Sequence, residues 1–406
     1  MSTTAKKNIV VVGGSYVGIK FVDTIAPEVF ETHNTVLVEK NSHFEHIFAF
    51  PRLGVAGSTK KAFVPYTNAF HATPPNSTSV VHGVAAQILP DKVVLESGEA
   101  VPYEYLVMAT GTGFLPVRGR TKAQGVALGN ALQERVKESQ NVVIVGGGAF
   151  GVQMVTDAKE YYPSKNITLI HSRDQLMNRF HPKLHEIVLE KLKAIGINVI
   201  LGQRVKIPSS HFPVSGPAYD VELADGRLIP ADIAVCFSSD FTPCRVVTAI
   251  TQISCIGATP LSSPIESLSP DLIDKSGFIR VKPTLQIQDE RYGNVFAIGD
   301  VAGTGANKNA RSGAGQAQVA ATNIKSLIRG DTAKEEYVPT PLAIHMSIGL
   351  WSWILFRNPA SPEDQPTFEF QNTEQFKGTP EGDNRFEMNC VRHWALRAPG
   401  ITDYDA

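Results

Sequence analysis

The chain has 406 residues and a formal net charge of −1, with 43% hydrophobic and 19% charged residues. These values are ordinary for a globular protein of two or three domains, and they exclude the basic footprint of a nucleic-acid-binding protein. No apolar run reaches the ~20 residues of a membrane-spanning helix, and the N-terminus lacks a signal-peptide core. The four cysteines form neither a C-x-x-C pair nor a zinc-spaced cluster. We therefore expect a soluble, cytoplasmic, metal-free protein with free thiols.

Residues 8–40 follow the strand, turn, helix and strand pattern of a dinucleotide-binding fold. Residues 8–12 are an apolar β-branched run typical of a buried parallel strand. A G-x-G-x-x-G turn lets the backbone approach a pyrophosphate at the helix N-terminus, and an acid about 20 residues later accepts ribose hydroxyls. Glu39 is that acid, 21 positions after Gly18 (39 − 18). The turn consists of Gly13, Gly14, Ser15, Tyr16, Val17 and Gly18, with Ser15 in place of one glycine.

The next segment is less regular. Residues 41–66 are rich in aromatic side chains, with Pro51 and Arg52 at their centre, and indicate irregular structure with a helical turn. Residues 78–108 alternate apolar and polar positions around a turn, which predicts an antiparallel meander. The last strand, at residues 105–108, ends in the small residues Ala109, Thr110 and Gly111.

The opening pattern returns at residues 141–170, after a helix predicted at residues 127–138. This second fingerprint has all three glycines, Gly146, Gly148 and Gly151. The chain thus contains two dinucleotide folds about 130 residues apart. In place of a terminal acid it has His171 and, two positions on, Arg173, which could pair with a 2′-phosphate or be a solvated loop cation. We favour NADPH over NADH and leave use of both open.

Further elements follow in order. The pattern predicts a helix and a strand in residues 183–206, a hairpin at 221–232, a strand at 233–237 and a linker at 243–270. It then predicts a buried strand at 294–298, the pair Gly299 and Asp300, and a helix at 311–329. The last 70 or so residues indicate a small third domain or interface layer.

These motifs resemble a known family, the two-dinucleotide-binding-domain flavoproteins of the pyridine nucleotide-disulfide oxidoreductase type. The chain is most similar to the apoptosis-inducing factor 2 branch, also called ferroptosis suppressor protein, and its fungal homologues. The resemblance spans residues 8–330. It rests on VVVGGSYVG, HFEHIFAFPR, STKKAFVPY, YLVMATGT, VVIVGGGAFGVQM, ITLIHSR and VFAIGDVAG.

The resemblance implies an α/β protein with two Rossmann-like domains of the three-layer ββα type, the second inserted in the first, and a small C-terminal α+β domain. The expected domains are a discontinuous FAD-binding domain at 1–115 and 275–335, an NAD(P)H-binding domain with linker at 116–274, and a C-terminal interface or substrate domain at 336–406.

The resemblance also implies site residues. For FAD they are Gly13, Gly14, Ser15, Gly18, Glu39, Lys40, Arg52, Thr110, Gly111, Gly299 and Asp300. For NAD(P)H they are Gly146, Gly148, Gly151, His171 and Arg173. From the residues alone, Asp300 at a strand's carboxyl end suits a ligand role, with a helix N-cap as the alternative.

The implied chemistry is hydride transfer from a nicotinamide to the flavin, and from there to a small acceptor. Because no redox-active cysteine pair is present, a quinone-like acceptor is the expected substrate. His46 and Gln153 are weak candidates for a direct catalytic role. Whether the protein is a monomer or a homodimer stays open.

Two departures from the family keep other functions open. Where the family has G-V-E at the third glycine, this chain has Gly151, Val152 and Gln153. Residues 236–239 replace the family's second A-T-G turn, and the Phe237 side chain is expected to narrow the space in which the backbone approaches the ligand. One alternative is a fungal biosynthetic flavoprotein that oxidises or cyclises a specialised metabolite and has a degraded nicotinamide site. The other is a flavin-bound interaction protein with little turnover, like an apoptosis-inducing factor.

Overall fold

The computed structural model describes residues 6–113, 121–208, 212–213, 216–236, 259–361 and 363–405. In these ranges the strands are β1 (Lys7–Val12), β2 (His33–Glu39), β3 (His43–Glu45), β4 (Phe63–Pro65), β5 (Thr78–His82), β6 (Ala85–Leu89), β7 (Lys92–Leu95), β8 (Ala100–Pro102), β9 (Tyr105–Met108), β10 (Thr112–Gly113), β11 (Asn141–Val145), β12 (Asn166–Ile170), β13 (Asn198–Ile200), β14 (Tyr219–Glu222), β15 (Leu228–Ala231), β16 (Ile233–Cys236), β17 (Thr259–Pro260), β18 (Val295–Ala297), β19 (Ala343–Ser347), β20 (Ser352–Arg357) and β21 (Thr367–Asn372). The helices are α1 (Tyr16–Val29), α2 (Phe50–Leu53), α3 (Lys122–Glu138), α4 (Ala149–Tyr161), α5 (Pro182–Ala194), α6 (Ala310–Ile328), α7 (Pro380–Phe386) and α8 (Cys390–Arg397).

The first unit is built on a parallel sheet with the strand order β18-β9-β1-β2-β5. Strand β1 is buried from Ile9 to Val12 because it lies between two neighbours and under helices, which explains its unbroken apolar run. Helices α1 and α6 pack on this sheet, and the antiparallel meander β6-β7-β8 joins the same core. This is the predicted three-layer arrangement.

The prediction for residues 78–82 was wrong. They form β5, which pairs in parallel with β2 at the sheet edge (Thr35 opposite Thr78), and only β6, β7 and β8 form the antiparallel meander. Alternation of apolar and polar residues predicts a strand but carries no information about its partner.

The second unit repeats the plan of the first. Its sheet has the order β13-β12-β11-β16, with all pairs parallel, and α4 connects β11 to β12 as α1 connects β1 to β2. The hairpin β14-β15 lies at residues predicted for it. The internal duplication is therefore confirmed in three dimensions.

The C-terminal residues contact both units. The sheet β19-β20-β21 contributes Met346, Ile348, Ile354 and Phe356 to the second unit's core, whereas α8 contributes Trp394 to that of the first. This arrangement is consistent with an interface layer, and the domain boundaries themselves stay predictions.

The cysteine prediction concerns four residues, of which the structure describes two. Cys236 and Cys390 are buried free thiols, and burial raises the pKa of Cys236 to about 12. Cys244 and Cys255 lie outside the described residues. Within the described ranges, no helix is both long and apolar enough to cross a membrane.

Candidate functional site

The first glycine turn joins β1 to α1, where small residues allow close backbone contacts. Gly13 has φ +111°, and a Cβ added there would collide with the carbonyl oxygen of Ala109. A Cβ on Gly18 would collide with the carbonyl oxygen of Gly13. Both glycines are thus required by the turn itself, and the turn leaves the N-terminus of α1 open to an anion.

Ser15 is compatible with this turn despite replacing a glycine. It precedes α1 with φ −82° and ψ −165°, and Gly148 precedes α4 with φ −84° and ψ −176°. Both are extended conformations that any residue adopts. The missing glycine therefore places no strain on the first fold.

Glu39, the last residue of β2, binds the backbone of the glycine turn. Its buried carboxylate accepts hydrogen bonds from the backbone N–H groups of Gly14 and, at 2.8 Å, Asn41. The hydroxyl of Tyr66 donates to the Gly14 carbonyl oxygen at 2.6 Å. Lys40 follows Glu39 and is half-buried. The sequence does not predict this role of Tyr66, because its partner is 52 positions away.

Two further turns lie at the carboxyl ends of β9 and β18. The hydroxyl oxygen of Thr110 is buried and has no hydrogen-bond partner in the described part of the chain, and Gly111 has φ +70°. Gly299 has φ +73°, and its N–H donates to Oε1 of the buried Gln316 at 2.7 Å. Gln316 fixes the turn that carries Asp300, and no sequence motif predicts this role because its partner lies 17 positions away.

Asp300 follows β18 and places a carboxyl group at the carboxyl ends of the parallel strands. Burial raises the pKa of its carboxyl, and the positive charges of Lys308 and Arg179 oppose that rise. The alternative of an N-cap was wrong, because α6 begins after Asn309, whose Oδ1 accepts the N–H of Ser312 at 2.8 Å. Asp300 is therefore not used by that helix.

These features fit FAD. Two glycines make room for a pyrophosphate at a helix N-terminus, Glu39 offers carboxylate oxygens beside it, and the buried Thr110 hydroxyl provides an unused polar group at the same edge of the sheet.

The second glycine turn has the same stereochemistry. Gly146 has φ +121°, and a Cβ on Gly151 would collide with its carbonyl oxygen. The N–H of Gly147 donates to Nδ1 of His171 at 3.1 Å, as the N–H of Gly14 donates to Glu39. A histidine thus takes the position of the acid. Arg173, two residues on, is exposed. This arrangement fits a nicotinamide nucleotide, including one with a 2′-phosphate.

Gln153 lies on α4, with its side chain almost completely buried. Its Nε2 donates to the hydroxyl oxygen of Ser347 on β19 at 3.1 Å. The structure therefore joins Gln153 to the C-terminal sheet. The predicted narrowing by Phe237 lies outside the described residues.

Arg52 is placed differently from the other predicted FAD residues. Its guanidinium is fully buried and forms an ion pair with Asp157 of α4, at 2.7 Å from Nε to Oδ2. The Arg52 side chain thus contacts α4 of the second unit rather than the first glycine turn. A role in binding FAD stays a prediction.

His46 belongs to an aromatic cluster beside the first glycine turn, formed by Tyr16, Phe44, His46, Phe48 and His393. Its Nε2 donates to the carbonyl oxygen of Met388 at 2.7 Å, so Nδ1 must accept the hydroxyl of Tyr16, also at 2.7 Å. Burial lowers the pKa of His46 to about 4. The pKa of His393, whose ring centre lies 4.1 Å away, is lowered to about 3, mainly by burial. Both ring nitrogens of His46 are used in these hydrogen bonds, and its lowered pKa makes it a weak base, which argues against acid–base catalysis by His46.

Comparison with known proteins adds three findings. The family model of pyridine nucleotide-disulphide oxidoreductases matches residues 7–323. Fe-regulated protein 8 of Mycosarcoma maydis is 33% identical over 384 residues, which cover 86% of this chain and 88% of the relative. Ferroptosis suppressor protein 1 of Xenopus laevis is 29% identical over 358 residues, with the same coverages. In structure, the sulfide:quinone oxidoreductase of Aquifex aeolicus is similar with a TM-score of 0.71 at 17% identity, covering 97% of this chain and 92% of that one.

Proposed function

The chain belongs to the pyridine nucleotide-disulphide oxidoreductase family, and we propose that it is an FAD-dependent NAD(P)H oxidoreductase that reduces a quinone or a similar small acceptor. The observation that carries this proposal is the pair of matching glycine turns. Each turn leaves the N-terminus of the helix that connects two parallel strands accessible to a pyrophosphate, so that one chain offers two dinucleotide sites.

When bound, FAD supplies the redox chemistry by accepting a hydride from the reduced nicotinamide and passing electrons to the second substrate. The chain's own contribution is binding and orientation. The N-termini of α1 and α4 attract the two pyrophosphates, and Glu39 orients an adenosine ribose. His171 takes the position at which a carboxylate would repel a 2′-phosphate, and Arg173 offers a positive charge two residues on, which favours NADPH.

The nature of the acceptor rests on two observations. The described cysteines Cys236 and Cys390 are both buried and belong to no C-x-x-C motif, which argues against a disulfide substrate. The aromatic cluster beside the first turn includes Phe48, whose side chain is 38% exposed and 4.9 Å from the ring of Tyr16. Such a surface suits stacking of a planar ring, as in a quinone.

The experiment is anaerobic mixing of the FAD-loaded protein with NADPH and, separately, with NADH, followed by flavin absorbance. We expect bleaching by at least one nucleotide, faster with NADPH, and recovery of the absorbance when a short-chain benzoquinone is added. Absence of bleaching in a protein that carries FAD would refute the oxidoreductase proposal. Bleaching without recovery would refute only the quinone acceptor.

The variant Gly148→Val tests the second site separately. A Cβ at Gly148 meets nothing within 4 Å, and the extended backbone there suits valine. The added methyl groups would occupy the space next to the helix N-terminus. We expect the dissociation constant of the nucleotide to rise about tenfold or more, with the thermal stability and the FAD content unchanged. Unchanged nucleotide binding would place the nucleotide elsewhere.

A further inference from the structure

Arg52 is a completely buried cation whose hydrogen bonds are all made to the protein. Nε and Nη2 donate to the two carboxylate oxygens of Asp157 at 2.7 and 2.9 Å. Nη2 also donates to the carbonyl oxygen of Gly349 at 3.0 Å, and Nη1 donates to those of Phe386 at 2.9 Å and Leu350 at 3.4 Å. These five bonds use all five N–H groups of the guanidinium.

The partners of Arg52 come from separate parts of the chain. Arg52 lies on α2, in the segment that follows the first dinucleotide fold, and Asp157 lies on α4 of the second. Gly349 and Leu350 form the turn between β19 and β20. Glu160 of α4 holds the same turn by accepting the N–H of Leu350 at 2.7 Å. The guanidinium is therefore a junction of both nucleotide units and the C-terminal hairpin.

Helix α4 connects this junction to the nucleotide turn. Its N-terminus follows Gly148, and Gln153 and Asp157 lie four residues apart on one face. Gln153 contacts Ser347, on the same hairpin whose turn binds Arg52. The C-terminal hairpin thus holds α4 at Gln153 and at Glu160, seven residues apart, and Arg52 holds it at Asp157, which lies between them.

Stability alone does not account for such a pair. Burial raises the pKa of Asp157, against the opposing effect of Arg52, and buried ion pairs are often replaceable by apolar residues without loss of stability. A bidentate pair instead fixes the orientation of its two side chains, because the planar guanidinium can donate to both carboxylate oxygens only when the two groups are aligned.

We propose that Arg52 and Asp157 are positioning residues for hydride transfer: their ion pair holds α4, and with it the nucleotide turn, at a fixed orientation to the first unit. This inference rests on the proposed function. Its physical basis is that a misplacement of about 1 Å between reacting groups costs up to about 100-fold in rate.

The test uses full-length, FAD-loaded protein with Arg52→Lys and with the double change Arg52→Met and Asp157→Leu. Lysine keeps the positive charge but cannot donate to both Asp157 oxygens in the bidentate geometry, whereas the double variant removes both charges. We expect the limiting rate constant of flavin reduction to fall about tenfold or more, with the nucleotide dissociation constant changed less than about threefold. Re-oxidation by benzoquinone, for which we propose the aromatic cluster beside the first turn, should keep its rate.

Arg397→Lys is the matched control. Arg397 also forms a bidentate pair, with Asp23 at 2.6 and 3.0 Å, but joins α8 to α1 without contacting the second unit. Its flavin reduction should match that of the wild type.

Reduction at the full rate in folded Arg52 variants would overturn the inference, whatever their melting temperatures. If the double variant does not fold, Arg52→Lys decides on the same criterion. A wild-type protein that neither nucleotide reduces would overturn the proposed function, and the inference with it.

Discussion

The buried His46 makes a quantitative prediction about acid stability. In the unfolded chain a histidine binds its proton with a pKa near 6.5, whereas in the fold the pKa of His46 is lowered to about 4 by burial. Between these values the unfolded state binds more protons, so the free energy of unfolding falls as the pH falls. Acidification from ~7.5 to ~5 should cost about 2 kcal/mol through this residue, and the full shift is worth about 3 kcal/mol.

His46→Gln is the informative change. Glutamine keeps an N–H that can reach the Met388 carbonyl oxygen but has no proton to bind in this pH range. The variant should lose part of its stability at pH ~7.5, because the contact with the Tyr16 hydroxyl is lost. The difference between its free energies of unfolding at the two pH values should be smaller than in the wild type by about 2 kcal/mol.

The assay is urea unfolding followed by tryptophan fluorescence at both pH values. His71→Gln is the control, because it makes the same change at an exposed histidine outside the cluster. If His46→Gln keeps the full pH dependence of the wild type, the reasoning about burial of His46 is wrong.

Three further predictions follow from the turns and the C-terminal helix. Gly151→Ala should destabilise the protein by about 2 kcal/mol, because its Cβ overlaps a backbone carbonyl, while Gly148→Ala should be neutral in the same thermal unfolding experiment. Glu39→Gln should raise the dissociation constant of FAD about tenfold, measured by flavin fluorescence, because a neutral amide accepts hydrogen bonds more weakly than a carboxylate. Trp394→Phe should cost about 1 kcal/mol and speed proteolysis of the C-terminal segment, because the indole N–H donates to the Lys61 carbonyl oxygen at 2.9 Å. Unchanged proteolysis would show that this bond does not anchor α8.

The parts of the fold that could be predicted are those encoded locally. Within each fold, the strand, the glycines of the turn and the residue that ends the second strand lie within about 30 residues of one another, and the backbone requirements of a tight turn leave few residue choices. The same reasoning found the second fold from its own glycines. Asn309, the N-cap of α6, is also a residue type that the sequence marks as a helix start, and it lies nine positions after Asp300.

What could not be predicted depends on partners far apart in the chain. Arg52 and Asp157 are 105 positions apart, and neither position shows by itself that the pair is buried. The parallel partner of β5 and the packing of the C-terminal sheet on the second unit are likewise set by tertiary contacts. The position of His171 was predicted from the spacing of the second glycine turn, but its bond to the Gly147 N–H depends on the pairing of β11 with β12.

The order of strands in the first sheet has a consequence for synthesis of the chain. Strand β9 ends at Met108, but its outer neighbour β18 begins at Val295, roughly 190 residues later. At ribosomal rates of about 5–20 residues per second, β9 waits about 10–40 s with an open edge. In that interval the strands of the second sheet, all between residues 141 and 236, emerge together. The sheet of the second unit is therefore complete before that of the first, and the nascent chain must protect an unpaired parallel edge until β18 is synthesised.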